Sequence, residues 1–180
     1  MAVFDTNFLV FLLEPGKPAP LDPKTGRPVT LAKERIEHLI KALEQDGEKI
    51  VLPTPVLSEF LVKAGVAATE YLQMFEKQAV FRIASFDTRC AVELAAMTLS
   101  ALAFVDKSGG SGEQPRQKVK IDRQIVAIAK VNGQDTIYST DQGLAAIATL
   151  AGIKVVSLAD IPLPPEDLQG KLGLEMPSED

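Results

Sequence analysis

The chain has 180 residues, 46% of them hydrophobic and 24% charged, with a formal net charge of −5 at pH 7. That length suits one domain with a real core, and no apolar run approaches the ~20 residues that cross a bilayer. One cysteine and one histidine exclude an internal disulfide, a His/Cys zinc site and a serine triad that needs an imidazole base. The N-terminus lacks a charged leader with a cleavage site, so the expected compartment is the cytoplasm. Cys90 reads as a small buried hydrophobe on a helix, and His38, between Glu34, Lys41 and Gln45, as part of a polar helix face. The acidic balance gives no global footprint for nucleic acid, yet binding depends on where Lys and Arg lie and not on their sum.

The chain begins with a short apolar run that stops at Asp5-Thr6-Asn7. Val3 and Phe4 suit a buried strand ending at Asp5, and the carboxyl end of such a strand is where open parallel sheets bind ligands. The alternative is that Asp5 caps the helix Phe8 to Leu13. From Glu14 to Val29 prolines, glycines and the cations Lys17, Lys24 and Arg27 make a loop longer than a compact domain usually carries. Thr30 is then expected to cap an amphipathic helix with the stripe Ile36, Leu39, Ile40 and Leu43, closed by Gly47. A second buried strand, Lys49 to Leu52, leads to Pro53-Thr54-Pro55, with Thr54 as cap and Pro55 as first helical residue.

Glu59 shares a row of that helix with Val56 and Val62, so it is either half-buried with a purpose or held by the helix dipole. A helix from about Ala67 to Gln78, a strand Val80 to Ile83 and a long helix Thr88 to Phe104 capped by Asp87 follow. Lys107 to Lys120 changes character: Ser-Gly-Gly-Ser-Gly and then Arg116, Lys118 and Lys120, which reads as a flexible basic loop. Its cations, with Arg123, are either solvated or hold phosphates. Asp122 then heads a helix whose apolar side contains Ile125, Val126 and Ala129. An acid on a buried stripe is costly unless paired or on a metal; the plainer reading is an N-cap. A strand Thr136 to Ser139 ends in Thr140-Asp141 before the helix Gln142 to Ala151, repeating the layout at Asp5. After a last strand, Ile153 to Ser157, the prolines 162, 164 and 165 lead into an acidic tail, 162–180, expected to be partly disordered.

Strands alternate with helices, which predicts an α/β fold: three layers, α/β/α, around a mostly parallel sheet. There is no internal repeat.

The run Val3-Phe4-Asp5-Thr6-Asn7, then Pro53-Thr54-Pro55-Val56-Leu57-Ser58-Glu59-Phe60, then Ile121-Asp122-Arg123-Gln124-Ile125-Val126-Ala127-Ile128-Ala129, then Tyr138-Ser139-Thr140-Asp141, resembles the PIN-domain nucleases, especially the VapC-type toxins of toxin–antitoxin pairs. The resemblance spans Val3 to about Ile161 and implies a nuclease domain over 1–161. It implies that Asp5, Glu59, Asp122 and Asp141 are the catalytic, metal-binding acids, with Asn7 and Thr140 as polar support. It also implies a metal-dependent endoribonuclease, commonly a homodimer and paired with a cognate antitoxin. The long loops after Glu14 and before Asp122 depart from the usual small toxin.

The residue chemistry runs the same way. Carboxylates without imidazole or thiolate suit a hard cation, Mg2+ or Mn2+, and such ions can activate water for attack on an RNA phosphodiester without a side-chain base. Two other classes compete. Phosphoryl transfer through Asp5 would want a second acid two residues on, where this chain has Asn7. A non-catalytic PIN-like module that binds RNA or protein has no need of four acids.

Overall fold

The computed structural model describes residues 2–13, 18–22, 24–108 and 116–164. Its elements run β1 (Ala2–Phe4), α1 (Thr6–Leu13), α2 (Ala32–Gln45), β2 (Ile50–Pro53), α3 (Thr54–Ala64), a 3-10 turn (Gly65–Ala67), α4 (Ala68–Lys77), β3 (Phe81–Ala84), α5 (Thr88–Ser108), α6 (Arg116–Val131), β4 (Thr136–Tyr138), α7 (Gln142–Leu150), β5 (Lys154–Val156) and a second 3-10 turn (Leu158–Asp160). Among the described residues five strands form one sheet in the order β3-β2-β1-β4-β5, and every neighbouring pair is parallel. The α/β expectation holds, and the sheet is wholly parallel.

The strand sequences explain their places. Ala-Val-Phe in β1 and Ile-Val-Leu-Pro in β2 lack the alternation of a half-wet strand, and both are buried along their length, as central strands covered on two faces must be. At the edge, β5 leaves Lys154 exposed. Phe4, Phe8 and Tyr138 join β1, α1 and β4 through ring centroids 5.4 to 5.9 Å apart, a spacing at which tilted aromatic pairs attract beyond their burial. A second aromatic group, Phe60, Tyr71, Phe75 and Phe81, ties α3 and α4 to β3.

Order and connectivity locate a crevice. From β1 the sheet grows outward to β2 and β3, and from β4 it grows the other way to β5. The connections therefore diverge between β1 and β4, and ligands of open α/β sheets bind at the carboxyl ends beside such a divergence. Asp5 follows the end of β1, and Ser139 to Asp141 follow the end of β4.

Several boundaries differ from expectation. Helix α6 begins at Arg116, not near Ile121, and α5 runs to Ser108; Arg, Gln and Lys are good helix formers, so the basic run Arg116 to Lys120 continues the amphipathic helix after it and is not a loop. Asp122 is thus in the second turn of α6, as Glu59 is in the second turn of α3. An N-cap role for Asp122 is excluded, because its backbone is already helical on both sides. Thr30 does not cap α2: the capping position is Leu31, at φ 53° with no side-chain bond, and the Thr30 carbonyl is satisfied by Arg35 Nε at 2.9 Å. At α3 the capping position is Pro53, not Thr54, again with no side-chain bond. Cys90 is buried and Asp87 caps α5 through the Cys90 N–H at 3.0 Å, while His38 is half-buried.

Between α1 and α2 the described residues 18–22 and 24–30 fold back on themselves. Val29 N–H donates to Pro20 O at 2.9 Å, Leu21 bridges Pro28, and Asp22 accepts from the Lys24 N–H and the Thr25 hydroxyl. Gly26, at φ +67°, supplies the left-handed residue that this turn needs. Lys24 Nζ reaches Asp160 at 2.6 Å, and Arg35 donates to the Ile161 carbonyl. Part of the basic loop expected at 107–120, and the acidic tail from 165 on, lie outside the described residues.

Candidate metal and nucleic-acid site

Parallel pairing puts Phe4 opposite Tyr138, so the next residues, Asp5 and Ser139, stand level at the strand ends. Ser139 Oγ donates to Asp5 Oδ2 at 2.7 Å, and the Thr6 N–H donates to Asp5 Oδ1 at 2.6 Å. Both oxygens of Asp5 are thereby aimed. Its side chain does not cap α1 in the usual way, since that bond goes to the second or third helical N–H. Thr6 Oγ1 donates to Glu59 Oε2 at 2.9 Å, and Lys63, one turn along α3, donates to Glu59 Oε1 at 2.8 Å.

Asp141 has two jobs. Its Oδ1 caps α7, accepting from the Gly143 and Leu144 N–H groups at 2.8 and 3.2 Å, and its own N–H donates to Ser139 Oγ at 2.9 Å. Its Oδ2 is left over and meets Lys118 Nζ at 2.6 Å. Glu59, Thr6, Asp5, Ser139 and Asp141 thus form one bonded series across α3, β1 and β4. Asp122 comes to the same place from α6, is only 6% exposed, and leaves its Oδ2 buried with no hydrogen-bond partner.

The electrostatics show that the four acids sense one another. Burial pushes Asp5 up to about 6, against the lowering bonds from Ser139 and Thr6, and Asp141 and Glu59 push it further. Burial likewise takes Asp122 to about 6, with Asp141, Asp5 and Glu59 adding to the rise and Lys118 opposing it. For Glu59, burial is outweighed by the bonds from Lys63 and Thr6, which hold it below the usual carboxylate range. Burial at Asp141 is outweighed in the same way by Lys118 and by the N–H groups of α7. The Lys118 ammonium is in turn held charged, chiefly by Asp141.

Among the described residues no three His, Cys, Asp or Glu side chains converge as a finished metal centre. Two of the acids already carry a lysine, Asp141 with Lys118 and Glu59 with Lys63. The donor set nevertheless fits a hard divalent ion: oxygen donors only, one buried carboxylate oxygen of Asp122 unpartnered, and oxygens of Asp5, Glu59 and Asp141 fixed by hydroxyl and amide donors.

The sequence missed Thr6, Ser139, Lys63 and the direct contact of Lys118. Asn7 and Thr140, expected as polar support, make no side-chain hydrogen bond with the described residues; their neighbours Thr6 and Ser139 do that work. A one-residue offset of this kind depends on which way each side chain leaves a strand end or first helical turn, which sequence spacing alone does not fix. Of the other cations, Lys120 is exposed on α6, Arg123 is half-buried, and Lys24 is engaged by Asp160. The side chain of Arg116, and Lys17, lie outside what is described.

Neither a protein-family model nor a curated protein matches this sequence. Solved structures do match its fold. A chain of VapBC2 from Rickettsia felis, bound to a DNA fragment from its promoter, superposes over 87% of this chain and 97% of its own, with TM-score 0.56 at 12% identity. The chain has a PIN-domain fold. DNA-bound VapBC from Salmonella typhimurium gives the same coverage, 87% and 97%, with TM-score 0.52 at 16% identity. At such identities the likeness concerns the PIN fold alone. No helix among the described residues is long and apolar enough to cross a membrane.

Proposed function

We propose that this PIN-fold chain is a divalent-metal-dependent endoribonuclease in which Asp5, Glu59, Asp122 and Asp141 hold Mg2+ or Mn2+. The observation that carries the reading is the buried, unpartnered Asp122 Oδ2 among three further acids at the diverging strands. A bound ion supplies Lewis acidity toward water and neutralises charge building on the phosphodiester. The chain's own residues do the rest. Ser139 and Thr6 fix the orientation of Asp5 and Glu59, and the α7 amides hold Asp141 with one oxygen toward the crevice. Lys118, now on Asp141, would be available to a substrate phosphate if an ion took up that acid's charge; Lys120 and Arg123, further round α6, are proposed to meet the backbone beyond it.

The VapBC structures that share the fold are toxin–antitoxin complexes, which supports a protein antitoxin as a partner of this chain; a homodimer and a cytoplasmic setting belong to the same proposal. The test is cleavage of single-stranded RNA with Mn2+, Mg2+ or EDTA by the wild type and by Asp5→Asn, Glu59→Gln, Asp122→Asn and Asp141→Asn. Metal-dependent cutting by the wild type and background cutting by each variant is the expected result. A folded wild type that cuts no RNA with either ion, or an Asp5→Asn protein that cuts as well as the wild type, contradicts the proposal.

A further inference from the structure

Beside the acids lies a cavity of about 360 Å³ that the nuclease chemistry does not use. One wall is the folded-back segment after α1, through Pro20, Leu21 and Val29; the floor includes Val155 and Leu158; the rim toward the acids is Ser139, Thr140, Asp141 and Gln142. We propose that this cavity receives the nucleobase next to the scissile phosphate of a single-stranded RNA; the inference rests on the nuclease reading and adds where the base is held.

Three observations converge. The cavity shares Asp141 with the acid cluster, so a nucleotide whose phosphate is at the acids has its base within reach of the rim. Its size is that of a small-ligand pocket, and its lining is about equally apolar and polar, as suits a base with an apolar face and a polar edge. Thr140 and the exposed Gln142 are among its lining residues, and neither side chain bonds to a described residue; an amide offers both a donor and an acceptor, as reading the edge of an unstacked base requires. Leu21 is 63% exposed at the wall, an apolar surface that a base face would cover. An exposed ion pair, Lys24–Asp160, joins the segment to the turn that closes the cavity. This gives the long segment between α1 and α2 a role that the acids do not.

Methyl NMR with the four nucleoside 5′-monophosphates, which contain a base and a phosphate but no cleavable diester, tests the inference. The methyls of Leu21, Val29, Val155 and Leu158 should shift, with one base preferred, while the methyls of Val66, fully exposed in the 3-10 turn after α3, stay put. Gln142→Ala should reduce that preference by about three- to tenfold, and Leu21→Ser should weaken binding of all four. If RNA is cut but none of the four cavity methyls moves, the base lies elsewhere and the inference falls while the nuclease reading stands. Moved methyls in a protein that cuts no RNA would leave a nucleotide site and remove the nuclease. Preference unchanged in Gln142→Ala rejects the assignment of base reading to that amide.

Discussion

At the scale of single residues, two of the four acids, Asp5 and Asp122, are held short of their natural charge, while Lys63 and Lys118 help to keep Glu59 and Asp141 ionised. Asp5 ionises at 3.8 when unfolded and at about 6 when folded, so between those values the folded state binds more protons and stability falls as pH rises. The shift corresponds to roughly 3 kcal/mol lost above pH 6, and Asp122 acts in the same direction. Asp87, held near 2 by its cap bonds, works the other way, but in the window below pH 4. In EDTA, Asp5→Asn should therefore gain stability relative to the wild type as pH goes from 4 to 6; denaturant unfolding at stepped pH measures it, and a flat difference would mean that Asp5 is not buried as charge.

Lys118 gives a second residue-scale expectation. Because it occupies Asp141 Oδ2, Lys118→Ala should tighten Mn2+ binding, seen as a larger rise in melting temperature at fixed Mn2+, and should weaken RNA binding with a shallower salt dependence. Lys120→Ala, which removes an exposed cation without that contact, should change the metal response much less.

At the scale of elements, α7 separates two roles of one side chain. Asp141→Asn keeps a cap and loses a charge, whereas Asp141→Ala loses both and should cost about 1 kcal/mol more in stability. Chemical denaturation of the pair measures the difference, and equal stabilities would mean that the cap is energetically idle. Ser139→Ala removes the hydroxyl that orients Asp5 and should weaken Mn2+ binding by about 10- to 100-fold, which calorimetric titration detects. Elements were legible in the sequence wherever an apolar run met a clear stop: β1 before Asp5, β2 before Pro53, β4 before Asp141. Less legible was the start of α6, where a basic run after glycines looks like a loop, although its residues favour helix and one of them has an acid to hold. Thr6 and Ser139 were illegible for another reason: their importance comes from contacts that only the fold makes, Ser139 with Asp5 across 134 positions through the parallel register of β1 and β4, and Thr6 with Glu59 of α3 across 53.

At the scale of the whole molecule, the strand order β3-β2-β1-β4-β5 does what no local motif does. It makes the sheet diverge between β1 and β4, which sets Asp5 and Asp141 at neighbouring strand ends; the proposed function adds Glu59 of α3 and Asp122 of α6 to them. The sequence contained the acids in order, the basic run with Lys118 and their resemblance to PIN-domain nucleases; it did not show that Lys118 already contacts Asp141, nor the cavity beside them. The central claim is that four acids from four elements make one divalent-cation site. Mn2+ binding followed by the loss of the free-ion EPR signal, in the wild type and in the four single Asn or Gln variants, tests it most directly. The account predicts saturable binding by the wild type that every one of Asp5→Asn, Glu59→Gln, Asp122→Asn and Asp141→Asn weakens. A folded variant among them that binds Mn2+ as tightly as the wild type would contradict it.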